Sequence, residues 1–242
     1  MNNINKLIDL IKESNHIVFF GGAGVSTESG LKDFRSVDGL YNEKYDYPPE
    51  MILSNSFFNI NTEEFYKFYK DKLNSLKYKP NITHKVLKLM EENNKLDGII
   101  TQNIDGFDIE AGSSNVCEIH GSIKRNYCMK CNKFYDAEYI FNSKGIPKCS
   151  CGGIIKPDVV LYEEPLNDEV VKKAIKLISN ADLLIIGGTS LNVYPAASFI
   201  HYFRGKHIVL INKQSTPYDN MCDLVINDSI GKVFKKIKEE LF

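Results

Sequence analysis

A chain of 242 residues, 43% hydrophobic and 25% charged, has the balance of a globular protein with one large domain and a small insertion. A net charge of −1, with lysines and acids interspersed, excludes the basic footprint of a nucleic-acid binder or of a membrane-surface patch. No apolar run nears the ~20 residues that span a bilayer, and MNNINKLIDLIKESN lacks the basic-then-apolar pattern of a secretory leader, so cytoplasm is the expected compartment.

Ile4, Leu7, Ile8 and Ile11 fall at helical spacing and predict an amphipathic opening helix. HIVFF follows, a short β-rich run that ends in GGAGVSTESG, which predicts a buried strand, a glycine turn and a helix start. Residues 37–79 are rich in Tyr, Phe and Asn, with a helical patch at EEFYKFYKDKL; NITHKVLKLM is helical too, with His84 packing or capping. Continuous apolar runs recur at DGIITQNID (97–105), ADLLIIGGTS (181–190), KHIVLIN (206–212) and CDLVIND (222–228). Unbroken runs suit parallel strands covered on both faces, and VVKKAIKLI and GKVFKKIKEELF supply covering helices. The fold class is therefore α/β, a Rossmann-like doubly wound parallel sheet. Residues 1–36, 80–122 and 156–242 are assigned to that domain. A helical insertion (37–79) and a cysteine module (123–155) form a small lobe over the sheet edge.

Gly21, Gly22 and Gly24 stand between a strand and a predicted helix, where glycine lets the backbone approach a pyrophosphate and the helix offers free N–H groups. The spacing is neither G-x-G-x-x-G nor a P-loop, and a plain tight turn is the alternative. Cys128-Met-Lys-Cys131 is followed after seventeen residues by Cys149-Ser-Cys151. Paired thiolates in a reducing compartment point to metal, and ligand softness points to zinc. Four cysteines leave no open position, so the site is structural; one residue between the second pair, rather than two, alters the local turn. Cys117 and Cys222 are read as small buried thiols, and His16, His201 and His207 as structural.

GAGVSTESGLKDFR, TQNID at 101–105, EIHG around His120, GTSLNVYPA at 188–196, IN at 211–212 and KPDVVLYEE at 156–164 stand in the order of the motifs of the sirtuin family. The chain resembles that family over nearly its whole length. The resemblance implies that Ala23, Thr27, Phe34 and Arg35 surround the pyrophosphate, proximal ribose and nicotinamide of NAD. It implies that Asp105 and the Ile104 backbone hold the carboxamide, that Asn103 positions a water, and that Gln102 meets a ribose hydroxyl. Thr189 and Ser190 would donate to phosphate or ribose, Asn212 would reach the adenine ribose, and Ile230 would meet the adenine. His120 would be the general base, for which an ordinary pKa near ~6.5 is suited.

The activity implied is NAD-dependent lysine deacetylation, with acyl-lysine proteins as partners and nicotinamide, free lysine and O-acetyl-ADP-ribose as products. The peptide would lie as an added strand beside Val159, Val160 and Leu161. Family members that take dicarboxylic acyl chains carry a Tyr-x-x-Arg pair; here Tyr66-Lys-Phe-Tyr69 stands nearest, which predicts neutral acyl groups such as acetyl. Lys32 replaces a usual proline, and Tyr162-Glu163 replaces a Phe-Gly pair in the groove motif. Rival readings are a mono-ADP-ribosyltransferase sharing the same pocket and a non-enzymatic zinc adaptor that senses NAD.

Overall fold

The computed structural model describes residues 3–34 and 38–242. In chain order the first part comprises α1 (Asn3–Glu13), β1 (Ile17–Gly21), α2 (Pro49–Ile52), α3 (Asn55–Ile60), α4 (Thr62–Lys72), α5 (Ile82–Glu92) and β2 (Leu96–Thr101). Then come α6 (Phe107–Glu110), β3 (Val116–Glu118), β4 (Gly121–Cys128), β5 (Phe134–Tyr135), α7 (Ala137–Asn142) and β6 (Ile155–Val159). The chain closes with α8 (Asp168–Asn180), β7 (Leu183–Gly187), β8 (His207–Ile211), β9 (Leu224–Ile226) and α9 (Ile230–Leu241).

Six strands form one parallel sheet in the order β3-β2-β1-β7-β8-β9. Side chains alternate across it, so Ile17, Phe19, Leu183 and Ile185 meet α1, α5 and α9, while Val18, Phe20, Leu184 and Ile186 meet α8 and residues 196–202. The doubly wound sheet predicted from the apolar runs is therefore present. β3 is an edge strand that the three-residue run VCE was too short to announce. The direction of winding reverses between β1 and β7, and a crevice opens there beyond the strand ends at Gly21 and Gly187.

β4, β5 and β6 form a separate antiparallel sheet in the order β5-β4-β6. Phe57, Phe58, Phe65, Tyr66, Phe68 and Tyr69 from the helical insertion share one apolar core with Ile123, Cys128, Ile140, Cys149 and Ile155. The insertion and the cysteine module thus make a single lobe. Its helices are capped locally: Ser54 Oγ accepts the Phe57 N–H at 3.2 Å at the start of α3, and Asp136 accepts that of Tyr139 at 2.8 Å at the start of α7. Among the described residues no helix is long and apolar enough to cross a membrane.

Two local expectations change. The segment after Gly22 is not an α-helix but two 3-10 turns, Ala23–Val25 and Thr27–Ser29. The Gly24 N–H donates to Gly188 O at 2.8 Å, and a Cβ on Gly24 would lie 2.8 Å from Gly188 Cα. The loop is thereby pressed against the end of β7, which leaves no room for a regular helix or a full helix dipole. Cys117 is buried as expected, but Cys222 is only half-buried, with its thiol 3.4 Å from the Tyr218 carbonyl.

Candidate functional site

The crevice between the sheet and the small lobe is a cleft of about 430 Å³, continuous with a second hollow of about 340 Å³ along the glycine loop. The first is lined by Gly22, Ala23, Phe34, Gln102, Asn103, Ile104, His120, Val159, Val160, Leu161, Thr189, Ser190 and Asn212 among others; the second by Thr27, Asn212 and Ile230. Nearly every residue singled out in the sequence for cofactor or substrate therefore faces one connected space. Asp105 lies just behind the wall, and Arg35 falls outside the described residues.

His120 sits in the turn between β3 and β4, where the parallel sheet hands the chain to the small lobe. Its Nδ1 lies 2.9 Å from the Gln102 carbonyl. A carbonyl only accepts, so Nδ1 carries the proton and Nε2 keeps the lone pair. Burial lowers its pKa below the ordinary histidine value, and the Gln102 carbonyl opposes that shift. The ring is thus held neutral and basic near pH 7. The His120 carbonyl in turn accepts the Val160 N–H at 3.0 Å, which joins His120 to the segment Val159–Leu161.

Behind the wall lies a buried polar cluster. Ser26 Oγ donates to Asp105 Oδ2 at 2.7 Å and accepts from Asn103 Nδ2 at 3.2 Å. Asn103 also donates to Gly22 O at 3.1 Å, and Asp105 Oδ1 accepts the Phe107 N–H at 2.9 Å. Ser75 Oγ donates to the Asp105 carbonyl at 3.1 Å. His84 caps α5 by accepting the Asn81 N–H at Nδ1, 3.2 Å away, and places Nε2 3.5 Å from Ser26 Oγ. Burial drives the His84 pKa down to about 4 and raises that of Asp105. Asp108, one helical turn further, is pushed up to about 8 by burial and then by the charges of Asp105 and Glu118. The sequence reading missed Ser26 and Ser75 as members of this cluster. Ser26 lies inside a quoted motif, but nothing local in the sequence ties it to residues near 103 and 105.

On the cofactor side, Gln102 Nε2 donates to Thr189 Oγ1 at 3.1 Å, bridging the ends of β2 and β7. Thr27 donates to Gly24 O at 3.0 Å, and Glu28 accepts the Gly231 N–H at 3.0 Å, tying the glycine loop to the start of α9 beside Ile230. Asn212 follows β8 with its backbone N–H on Ile226 O at 3.1 Å.

On the lobe side, Leu53, Leu73, Ile104, Val159 and Leu161 make an apolar wall. Tyr66 and Tyr69 do not reach the cleft. Both are fully buried in the lobe core, where Tyr66 donates to the Ile155 carbonyl. Lys70 is turned onto the Ser143 and Gly145 carbonyls at 2.7 and 2.6 Å. Among the described residues the lining of the first hollow includes no Arg or Lys. Glu163 adopts φ +76°, a left-handed conformation that costs a side-chain-bearing residue roughly 1–2 kcal/mol. Its carboxylate accepts from both the N–H and the Oγ of Ser56 at 2.9 Å, so the lip of the groove is strapped to α3.

The four paired cysteines converge with all sulfurs within 4.8 Å of one another, at 3.4–3.6 Å for three of the contacts. Tetrahedral Zn–S bonds of ~2.3 Å place sulfurs ~3.8 Å apart, so the set fits zinc. The Lys130 and Cys151 N–H groups point at Cys128 and Cys149 sulfurs at 3.4 and 3.5 Å, as thiolates require. The shortened Cys-Ser-Cys turn still brings both its sulfurs into the shell.

Fold and site together define a dinucleotide-binding α/β protein with a four-cysteine cluster that fits zinc in its small lobe and a neutral histidine at the shared cleft. The chain belongs to the Sir2 family, whose model matches residues 22–195. It is 62% identical, over 97% of this chain and 98% of the relative, to an NAD-dependent protein deacetylase of Clostridium perfringens, and 48% identical, over 96% of each, to one of Cutibacterium acnes. Among solved structures it is similar to a Sir2 variant described with a deacetylated p53 peptide and 3'-O-acetyl ADP ribose, at TM-score 0.91, 36% identity and 98% coverage of both chains. A Sir2 protein bound to an acetylated peptide aligns at TM-score 0.87 and 34% identity over 99% of this chain and 98% of that one.

Proposed function

We propose that this chain is an NAD-dependent protein lysine deacetylase with zinc as a structural metal. The observation that carries the reading is the fixed tautomer of His120, a neutral base on the wall where the nucleotide crevice and the lobe groove meet. NAD supplies a glycosidic bond whose cleavage releases nicotinamide and passes ADP-ribose to the acyl group of lysine. In this reading Asp105, held by Ser26, and the Ile104 backbone hold the nicotinamide carboxamide, Asn103 positions a water, and Ala23, Thr27 and Phe34 wrap the pyrophosphate, proximal ribose and nicotinamide. Gln102, Thr189 and Ser190 hold ribose and phosphate oxygens, while Asn212 and Ile230 receive the adenosine end. His120 Nε2 takes a proton from a ribose hydroxyl. Arg35 keeps its assignment to the phosphates from the resemblance alone.

The acyl-lysine enters along Val159, Val160 and Leu161. The N–H groups of Val160, Leu161 and Tyr162 are already donated to His120 O, Glu164 and Leu53 O. The carbonyls of Val159, Leu161 and Tyr162 also accept already, from Lys156 Nζ and the Glu164 and Asn55 N–H groups, so an added peptide strand would pair chiefly through the Val160 carbonyl. Cys128, Cys131, Cys149 and Cys151 would hold the zinc. The division into 1–36, 80–122 and 156–242, with insertions 37–79 and 123–155, is retained, and β6 forms the seam because it pairs with β4.

The test is incubation with an acetyl-lysine peptide, with and without NAD, following peptide mass and nicotinamide. Loss of acetyl matched by nicotinamide release is the expected result. Nicotinamide release with ADP-ribosylated protein and no acetyl loss would replace deacetylation with ADP-ribosyl transfer.

A further inference from the structure

We propose that Glu163 makes the groove selective for acyl-lysines flanked by basic residues and disfavours acidic flanks, an inference that rests on the deacetylase reading. Glu163 is exposed and lines the cleft immediately after the groove segment Val159–Tyr162. Its backbone is in the left-handed region, and its carboxylate is pinned by two donors from Ser56. The charge is therefore held at one place on the lip rather than swept through solvent by a free side chain. No cationic side chain pairs with it among the described residues.

Its neighbour Glu164 is different. That carboxylate meets Lys156 Nζ at 3.1 Å and accepts from the Leu161 N–H and Asn55 Nδ2, so its charge is spent inside the fold. The described lining of the first hollow carries neither lysine nor arginine; Lys32 and Lys213 line the second, along the glycine loop. A cleft walled by apolar side chains focuses such a field on whatever peptide enters it. A lysine or arginine beside the acyl-lysine would meet attraction at the lip, and a glutamate would meet repulsion.

A unit charge ~7 Å from the Glu163 carboxylate in a water-like dielectric changes affinity about three-fold, so replacing a flanking lysine by glutamate changes it about ten-fold. The experiment compares kcat/KM for three acetyl-lysine peptides of equal length, with lysine, alanine or glutamate flanks, at low and high salt. The lysine-flanked peptide is expected to exceed the glutamate-flanked one about ten-fold at low salt, with the gap narrowing as the Debye length falls to about 3–4 Å. Glu163→Gln offers Oε1 to the Ser56 N–H and its NH2 as a donor to Ser56 Oγ, so the strap can persist with one bond reversed while the charge is removed, and the ratio should fall to about two or below. A strap with a purely structural role would leave that ratio intact. Equal turnover of all three peptides, or a ratio unchanged by Glu163→Gln, overturns the selectivity and leaves the deacetylase reading standing. Absence of turnover, with peptide binding by fluorescence anisotropy still following charge and Glu163→Gln, removes the deacetylase reading instead.

Discussion

Ser26→Ala removes one oxygen and tests whether the polar cluster behind the cleft is a mechanical unit. Ser26 is 2% exposed, and its hydroxyl donates to Asp105 at 2.7 Å and accepts from Asn103 at 3.2 Å. Loss of the charge-assisted bond to a buried carboxylate is worth ~1.5–3 kcal/mol, and loss of the neutral one about 1 kcal/mol. Alanine leaves little new cavity, so a destabilisation of about 2–4 kcal/mol should appear in urea unfolding as a lower midpoint with unchanged slope. Freed from Ser26, the Asn103 amide keeps Gly22 O as its partner and can rotate about that one bond. Misplacement of this kind should lower kcat ten-fold or more, with the peptide KM little changed, because in the proposed function Asn103 and Asp105 serve the nicotinamide and its water rather than the peptide. A stability loss below about 0.5 kcal/mol together with full kcat would refute the idea that Ser26 holds these two side chains.

Further outcomes follow from the same geometry. His120→Ala should reduce kcat by about 10²–10⁴ while NAD binding by calorimetry persists, and the acid limb of the wild-type rate profile should lie below pH 6.5, because burial lowers the His120 pKa. Asp108 has Oδ1 without a partner and a pKa raised to about 8. The fold therefore binds a proton that the unfolded chain has released between about pH 4 and pH 8, and stability falls as pH rises through that window. Asp108→Asn should flatten that part of the denaturation profile and add on the order of 2–4 kcal/mol at pH 7. Cys149→Ala, or removal of the metal by a chelator, should release bound zinc by metal analysis and lower the melting temperature, since Cys149 is part of the lobe core.

Most of the sheet was legible because parallel strands buried on both faces write themselves as apolar runs, as at IVFFG, LLIIG and HIVLI. The cysteine shell was legible from spacing alone. What the sequence concealed depends on long-range closeness. Ser26 and Asp105 are 79 positions apart, and no periodicity links a serine hydroxyl to a distant carboxylate. The glycine loop read as a helix start because the strand-turn pattern usually leads to one, whereas contact with Gly188 pressed it into 3-10 turns. Tyr66 and Tyr69 read as acyl-chain neighbours by analogy of spacing. In the fold both aromatic rings serve the core of the lobe, and the wall of the cleft falls to Leu53 and Leu73.

That lobe core has an evolutionary corollary. The helical insertion and the cysteine module arrive at different points in the chain, yet Phe57, Tyr66 and Leu73 from one are packed in the same cluster as Ile123, Ile140 and Ile155 from the other. Leu53, Leu73 and Leu161 belong both to this cluster and to the wall of the cleft. Transplanting either segment alone from a relative would therefore bring together surfaces that never adapted to each other, and the misfit would be felt at the cleft wall. The two must be inherited, or grafted, as a pair.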